Sequence, residues 1–166
     1  MQNQTTTSAG TMKTSADVGK LAGALSKAQS AFQPILKNRE AKIPTKSGGS
    51  YSYSYADLAS IIAATQKPLS ENGLATTSAP SNGGVTLVMR LLHSSGEWIE
   101  GEYPLPSGAG VDDKVRAAAI TYGRRYLLSS LLGIATEDDT DSLPEAPSAT
   151  YNERKPTINA QRGPSL

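Results

Sequence analysis

Apolar residues first recur with a helical spacing at Leu21, Leu25, Ala28, Phe32 and Leu36. Steps of three and four place them on one face of an amphipathic helix. Ser15 and Asp17 stand where a cap is needed. Pro34 should kink or end the helix, because proline lacks the amide donor and clashes with the preceding turn. Residues 38–50, NREAKIPTKSGGS, lose the periodicity and read as an exposed basic loop. The run YSYSY at 51–55 alternates aromatic and small polar side chains, which predicts a short extended segment. Leu58, Ile61, Ile62, Thr65 and Leu69 then form a second helical face behind Asp57, a suitable cap. Pro68 weakens its last turn and Gly73 suits the stop.

Strand patterns follow. Residues 74–79 are a candidate strand, and SNGG at 81–84 is a hairpin signal, since Asn-Gly adopts positive φ at little cost. VTLVMRLLH at 85–93 is the best strand pattern in the chain, and EWIEGEY at 97–103 alternates as an outer strand. These three predict an antiparallel β-meander. From Asp112 or Asp113 to Leu132 runs the longest helical stretch, with Gly133 placed to end it. Strands grouped apart from helices define an α+β class, with helices packed on an antiparallel sheet.

The ends lack this patterning. Residues 1–14 read as a disordered arm of Thr, Ser, Gln and Gly, residues 15–135 as one folded domain, and residues 136–166 as an acidic, Pro-rich disordered tail. No apolar run approaches the roughly 18–20 residues of a membrane span. The start has no hydrophobic stretch of the signal-peptide kind, so the expected compartment is the cytoplasm.

Charge changes this picture only when it is divided along the chain. The net charge is +1, which announces no uniformly basic protein. Residues 1–135 carry thirteen Lys and Arg against nine Asp and Glu, whereas residues 136–166 carry three against six. A basic body is therefore followed by an acidic tail. Five of the basic residues fall within 21–60, the span that also holds the tyrosine run.

Composition removes most catalytic chemistry. Without cysteine there is no disulfide framework, Cys-ligated zinc, iron–sulfur cluster or thiol nucleophile, and a single histidine excludes multi-His metal sites. His93 lies beside a Ser-Ser-Gly turn, but no acidic third member or oxyanion turn accompanies it, and a solvent-facing turn histidine is the simpler reading. Asp112 and Asp113 suit a helix N-terminus. The acidic run at 137–141 lies in the tail. SGAGVDDK superficially resembles a phosphate loop, yet the spacing of Gly, four residues, then Gly-Lys-Ser/Thr is absent. The expectation is a non-enzyme with no cofactor and no metal.

Nucleic-acid binding has positive signs. Tyr51, Tyr53 and Tyr55 share one face of an extended segment, about 6.6–6.8 Å apart at successive positions, behind Lys37, Arg39, Lys42 and Lys46. Cations neutralise phosphates and rings stack on bases at about 1–3 kcal/mol each. The plain alternative is that the tyrosines pack inward with their hydroxyls at the rim. Arg124 and Arg125, within TYGRRY, form a second basic cluster, which Arg116 extends toward the helix start. Helical geometry puts Arg125 toward Tyr122 and Tyr126, and Arg124 toward Ile120, Leu127 and Leu128. Arginines in so apolar a helix need partners. Phosphates, carboxylates and a neighbouring subunit all remain open. Trp98 among Glu97, Glu100 and Glu102 reads as packing, with glutamates that repel DNA, discourage edge pairing or meet a neighbouring subunit.

These pieces together resemble a known family. ALSKAQSAF, YSYADL with ENGL downstream, and AITYGRRYLLSSLLGIATEDD resemble the Erf (essential recombination function) family of phage single-strand annealing proteins, over roughly residues 20–140. Its signature here is Tyr55-Ala56-Asp57-Leu58 with Thr121-Tyr122, Arg125-Tyr126 and Gly133-Ile134. The resemblance implies ATP-independent binding of single-stranded DNA and annealing of complementary strands in homologous recombination and DNA repair, in a bacterial host cell. It implies a homo-oligomer, ring or filament, and a fold similar to that of ring-forming annealing proteins. A host single-strand-binding protein or a phage nuclease is a further candidate partner. The family often has Gly-Ser before Ala-Ile-Thr-Tyr, where this chain has Ala117-Ala118, which favours the helix but removes a close approach and a hydroxyl. A non-DNA interaction or structural adaptor module is the competing function.

Overall fold

A computed structural model describes residues 12–44 and 48–136. The chain is α+β. Strand β1 (Lys13–Thr14) leads to helix α1 (Gly19–Ser30), strands β2 (Arg39–Pro44) and β3 (Ser50–Tyr55), and helix α2 (Leu58–Glu71). Strands β4 (Leu74–Ser81), β5 (Thr86–His93) and β6 (Trp98–Pro104) follow, then helix α3 (Asp113–Leu132). No helix among the described residues is long and apolar enough to cross a membrane.

β4, β5 and β6 pair antiparallel in chain order, and β1 adds to β6, so the sheet has four strands in the order β1-β6-β5-β4. Register explains which face is apolar. Leu87, Met89 and Leu91 of β5 stand beside Tyr103, Gly101 and Ile99 of β6, and this face meets the helices. Leu87 and Leu91 are fully buried there, with Leu128 and Leu132 of α3 and Ile61 and Leu69 of α2 in the same core. Strand alternation sends Val88, Arg90, Glu100 and Glu102 to the opposite face.

The helix boundaries follow local chemistry. Asp57 caps α2, its carboxylate accepting from the Ser60 amide at 2.9 Å. Asp112 caps α3 through the Lys114 amide at 2.8 Å, and Gly133 closes it in the left-handed conformation, φ 64°. Pro68 lies within the end of α2 without breaking it. The β4–β5 turn has positive φ at Asn82 and Gly83, as the Asn-Gly pair predicts.

Three sequence expectations change. First, Lys13 and Thr14 are not part of a featureless arm: they pair with Glu100 and Ile99. Lys13 bridges Glu100 and Glu102, so ion pairing rather than hydrophobicity holds this strand. Second, residues 38–50 are not all loop. Arg39–Pro44 form β2, whose Ala41 and Ile43 stand opposite Tyr53 and Tyr51. Its charged residues conceal a strand whose apolar positions are short side chains. Third, α1 stops at Ser30 rather than running to Leu36, and Leu36 is 76% exposed. Pro34 explains this, because the residue preceding a proline is driven from helical to extended backbone. Ser15 does not cap α1 either. Its hydroxyl donates to the Asp17 carbonyl at 2.5 Å and accepts from the Trp98 amide at 3.0 Å, tying the chain to β6. Lys46 and the acidic tail from residue 137 lie outside the described residues.

Candidate nucleic-acid interface

The centre of the candidate site is Arg125. It projects from α3, which lies close on the sheet because of two glycines. A Cβ at Gly123 would sit 2.6 Å from the Tyr103 ring and 3.0 Å from Leu87, and one at Gly101 would sit 3.0 Å from Leu127. Helix and strands therefore approach more closely than side chains at these positions would permit. That approach brings Tyr103 of β6 against Tyr122 and Tyr126 of α3, with ring centroids 6.1 and 6.5 Å away. Tyr122 and Tyr126 are 4.4 Å apart, and the Tyr122 hydroxyl donates to that of Tyr126 at 2.8 Å.

Tyr55 arrives from the other direction, at the end of β3. The Arg125 guanidinium lies 4.2 Å from the Tyr55 ring centre, 5.2 Å from Tyr122 and 5.4 Å from Tyr126. Only 7% of Arg125 is exposed. Each cation–π contact contributes about 0.5–1 kcal/mol at an exposed site and about 2 when desolvated, so three rings offset much of the cost of burying this charge. Burial, followed by the Tyr122 phenol, raises the Tyr103 pKa above its ordinary value.

Beside this cluster α2 begins. Both Asp57 oxygens are in use: Oδ1 accepts from the Ser60 amide and hydroxyl, and Oδ2 accepts from Asn38 at 3.1 Å and Arg39 at 3.2 Å. These hydrogen bonds, the Ser60 amide first, hold its carboxyl down at about 2. The Ala56 amide donates to the Thr136 carbonyl at 2.9 Å, which returns the chain after α3 to the same spot. An open concavity of about 360 Å³ results, lined by Tyr55, Asp57, Leu58, Thr121, Tyr122 and Arg125. Tyr122 is 43% exposed at its edge.

The residues expected to contact DNA do not converge on one groove. Arg125 and Arg39 come to the hairpin base. Lys37 precedes β2 in the connecting segment and is exposed. Tyr51 and Tyr53 share the Arg39 face of the hairpin, but Lys42 stands opposite Ser52 on the other face. Alternation separates the two: odd-numbered tyrosines and an even-numbered lysine occupy opposite sides of one ribbon. Arg124 lines a different groove, between α3, α2 and β4. Arg116 lies nearer the start of α3, against the β4–β5 turn, where its Nη1 would be 3.5 Å from a Cβ at Gly84. The sequence reading missed Tyr103, and it named Tyr55 with the tyrosine run and Tyr122 and Tyr126 beside Arg125 without joining them into one site. Their signal was present in the spacing of Tyr122 and Tyr126 around Arg125, but Tyr103 and Tyr55 reach it only through the fold.

Glu97, just before β6, and the two glutamates within it serve the protein itself. Glu97 accepts from the Leu21 amide at 2.8 Å, Glu100 pairs with Arg90 at 2.5 Å, and Glu102 pairs with Lys13. Glu102 and Glu100 raise the Lys13 pKa. Arg90 also covers the Trp98 ring at 4.6 Å. His93 binds Ser95 within the β5–β6 turn, Nδ1 to Oγ at 2.8 Å.

The result is an open, tyrosine-walled concavity on an α+β scaffold, with Arg125 and Asp57 as its charged lining. The ERF superfamily matches residues 21–165, and the chain belongs to it. The match continues past the end of α3 through the acidic segment. No curated protein and no solved structure matches the chain.

Proposed function

We propose that this protein binds single-stranded DNA and anneals complementary strands without ATP, in phage-type homologous recombination. The observation that carries the reading is Arg125, held among Tyr55, Tyr122 and Tyr126 at an open concavity with Arg39 at the hairpin base. Family membership supports the same role. Phosphates meet Arg125, Arg39 and Lys37, and the exposed Tyr122 ring receives a base. Arg124, Arg116, Lys42 and Lys46 lie farther along the strand's path. Bases held unstacked on rings present their pairing edges to a second strand, so annealing needs positioning and no covalent step. Each subunit offers few contacts, and a homo-oligomer, ring or filament, supplies avidity. A host single-strand-binding protein or a phage nuclease is the further partner, and the bacterial cytoplasm is the place of action.

Fluorescence anisotropy with a labelled oligonucleotide tests this. The wild type binds, and log affinity falls with log salt at about −0.7 per phosphate contact, or about −2 for three contacts. Arg125→Ala weakens binding at least tenfold while circular dichroism stays at wild type. Salt-insensitive binding, or none, overturns the proposal in favour of an interaction module. Magnesium-dependent cleavage of the oligonucleotide overturns it in favour of a nuclease.

A further inference from the structure

One sequence feature has no part in gripping a strand: the acidic run at residues 137–141. Glu137, Asp138, Asp139 and Asp141 place four carboxylates in five residues, and all lie outside the described residues. The chain that leads to them is described, and its path is fixed. Gly133 turns it off α3 in the left-handed conformation. The Gln29 side chain donates to the Leu132 carbonyl at 3.0 Å, and the Ile134 amide donates to the Ser129 carbonyl at 2.9 Å. Thr136 is buried, and its carbonyl accepts from the Ala56 amide at 2.9 Å. The acidic run therefore departs from a pinned point.

That point adjoins the candidate site. Ala56 stands between Tyr55, whose ring lies against Arg125, and Asp57, whose carboxylate holds Arg39. Tyr55 is also the partner of Arg39 across the hairpin. Five residues span at most about 17 Å. Both arginines are within reach of a segment that starts one residue beyond Thr136.

Charge favours the contact. Arg125, Arg39 and, two residues before it, Lys37 bring three positive charges to this end of the hairpin. Asp57 is the one carboxylate lining the concavity, and its oxygens are already engaged by Ser60, Asn38 and Arg39. A guanidinium accepts a carboxylate in the same planar fork as a phosphate. A short tether raises the local concentration of the run to the millimolar range, so weak individual contacts suffice.

We propose that the acidic run at residues 137–141 occupies the Arg125–Arg39 site of its own chain when DNA is absent, as a tethered substitute for phosphate that an incoming strand displaces. The inference rests on the DNA reading of that site and adds a threshold to it. A strand that makes few contacts meets a covered site, and one that makes many displaces the run. A site open for about one tenth of the time binds about tenfold more weakly than one always open.

The absence of cysteine permits a direct test of the contact. Thr121 lines the concavity and is exposed, and Thr140 belongs to the acidic run. In the full chain with Thr121→Cys and Thr140→Cys, mild oxidation without DNA forms a disulfide within one chain, read as faster migration on a non-reducing gel. Ser142→Cys in place of Thr140→Cys covers a shift in register. Glu137→Gln, Asp138→Asn, Asp139→Asn and Asp141→Asn, made together, slow that closure severalfold. In the cysteine-free chain the same four substitutions tighten binding of a labelled oligonucleotide about tenfold at low salt, and the gain shrinks as salt rises. The oxidised double-cysteine chain binds oligonucleotide weakly, and reductant restores binding. Links only between chains overturn the proposal, as does no link at either position or a closure rate that ignores the four substitutions. So does a wild type that binds DNA with an affinity those substitutions leave unchanged or lower. The disulfide is read without DNA. Closure that depends on the four carboxylates, in a chain that binds no oligonucleotide whether oxidised, reduced or neutralised, therefore sinks the DNA reading and leaves the contact standing.

Discussion

The four-stranded sheet and the β2–β3 hairpin are both antiparallel, but different forces hold them. The sheet buries Leu87, Met89 and Leu91 beneath three helices. The hairpin is tied at its base, by Asn38 and Arg39 to Asp57, Tyr55 to Arg125, and Ala56 to Thr136. Burial makes one region a cooperative core. Polar and cation–π contacts hold the base of the other, and the candidate site forms at that anchor.

The sharpest contrast comes from the same kind of truncation in each region. Leu91→Ala removes a fully buried side chain and is expected to destabilise by about 2–5 kcal/mol. Ile43→Ala, on the half-buried hairpin face, should change the urea midpoint far less. Equal losses would show that the hairpin is part of the core and break the comparison. Next in size is Gly123→Ala. The added methyl meets Tyr103 and Leu87 at 2.6 and 3.0 Å, and forcing α3 off the sheet costs about 1–3 kcal/mol. Its oligonucleotide affinity should fall as well, since Tyr122 and Arg125 move with the helix. A stable variant with unchanged affinity would show that the close approach is dispensable.

The smallest effect is expected at the anchor. Asp57→Ala removes the α2 cap and should cost about 0.5–2 kcal/mol, with β2 and β3 amides exchanging faster than those of β5. The pH dependence has a definite sign. The Asp57 carboxyl is depressed from 3.8 to about 2, so its contribution is complete above about pH 4 and is lost as pH falls toward 2. Amide exchange across this window should loosen the hairpin base in the wild type and show no such step in Asp57→Ala. The same step in both proteins would place the titrating group elsewhere.

Much of the scaffold was legible because its signals are local. Asp57 and Asp112 as caps, Gly133 as a stop, the Asn-Gly turn, and the alternation of β5 each act through a few neighbouring residues. β2 was hidden because its apolar positions are Ala41 and Ile43 among charges, so alternation was weak until Tyr53 and Tyr51 stood opposite them. β1 was hidden for another reason: two residues carry no period, and Lys13 is a strand residue only because Glu100 and Glu102 lie beside it.

The candidate site divides in the same way. Tyr122, Arg125 and Tyr126 sit within five residues on one helix, and their mutual approach follows from helical geometry alone. By itself the sequence determined the helices, the three main strands, the cation-and-tyrosine chemistry and the family. The tertiary structure decided which tyrosines surround Arg125, which face carries Lys42, and that Arg124 and Arg125 open into different grooves. The physical reason is range. Caps, turns and periodicities are set by contacts a few residues apart, whereas Tyr103 meets Tyr122 and Tyr126 only because Gly101 and Gly123 let α3 settle onto the sheet, and Tyr55 reaches Arg125 only across the fold.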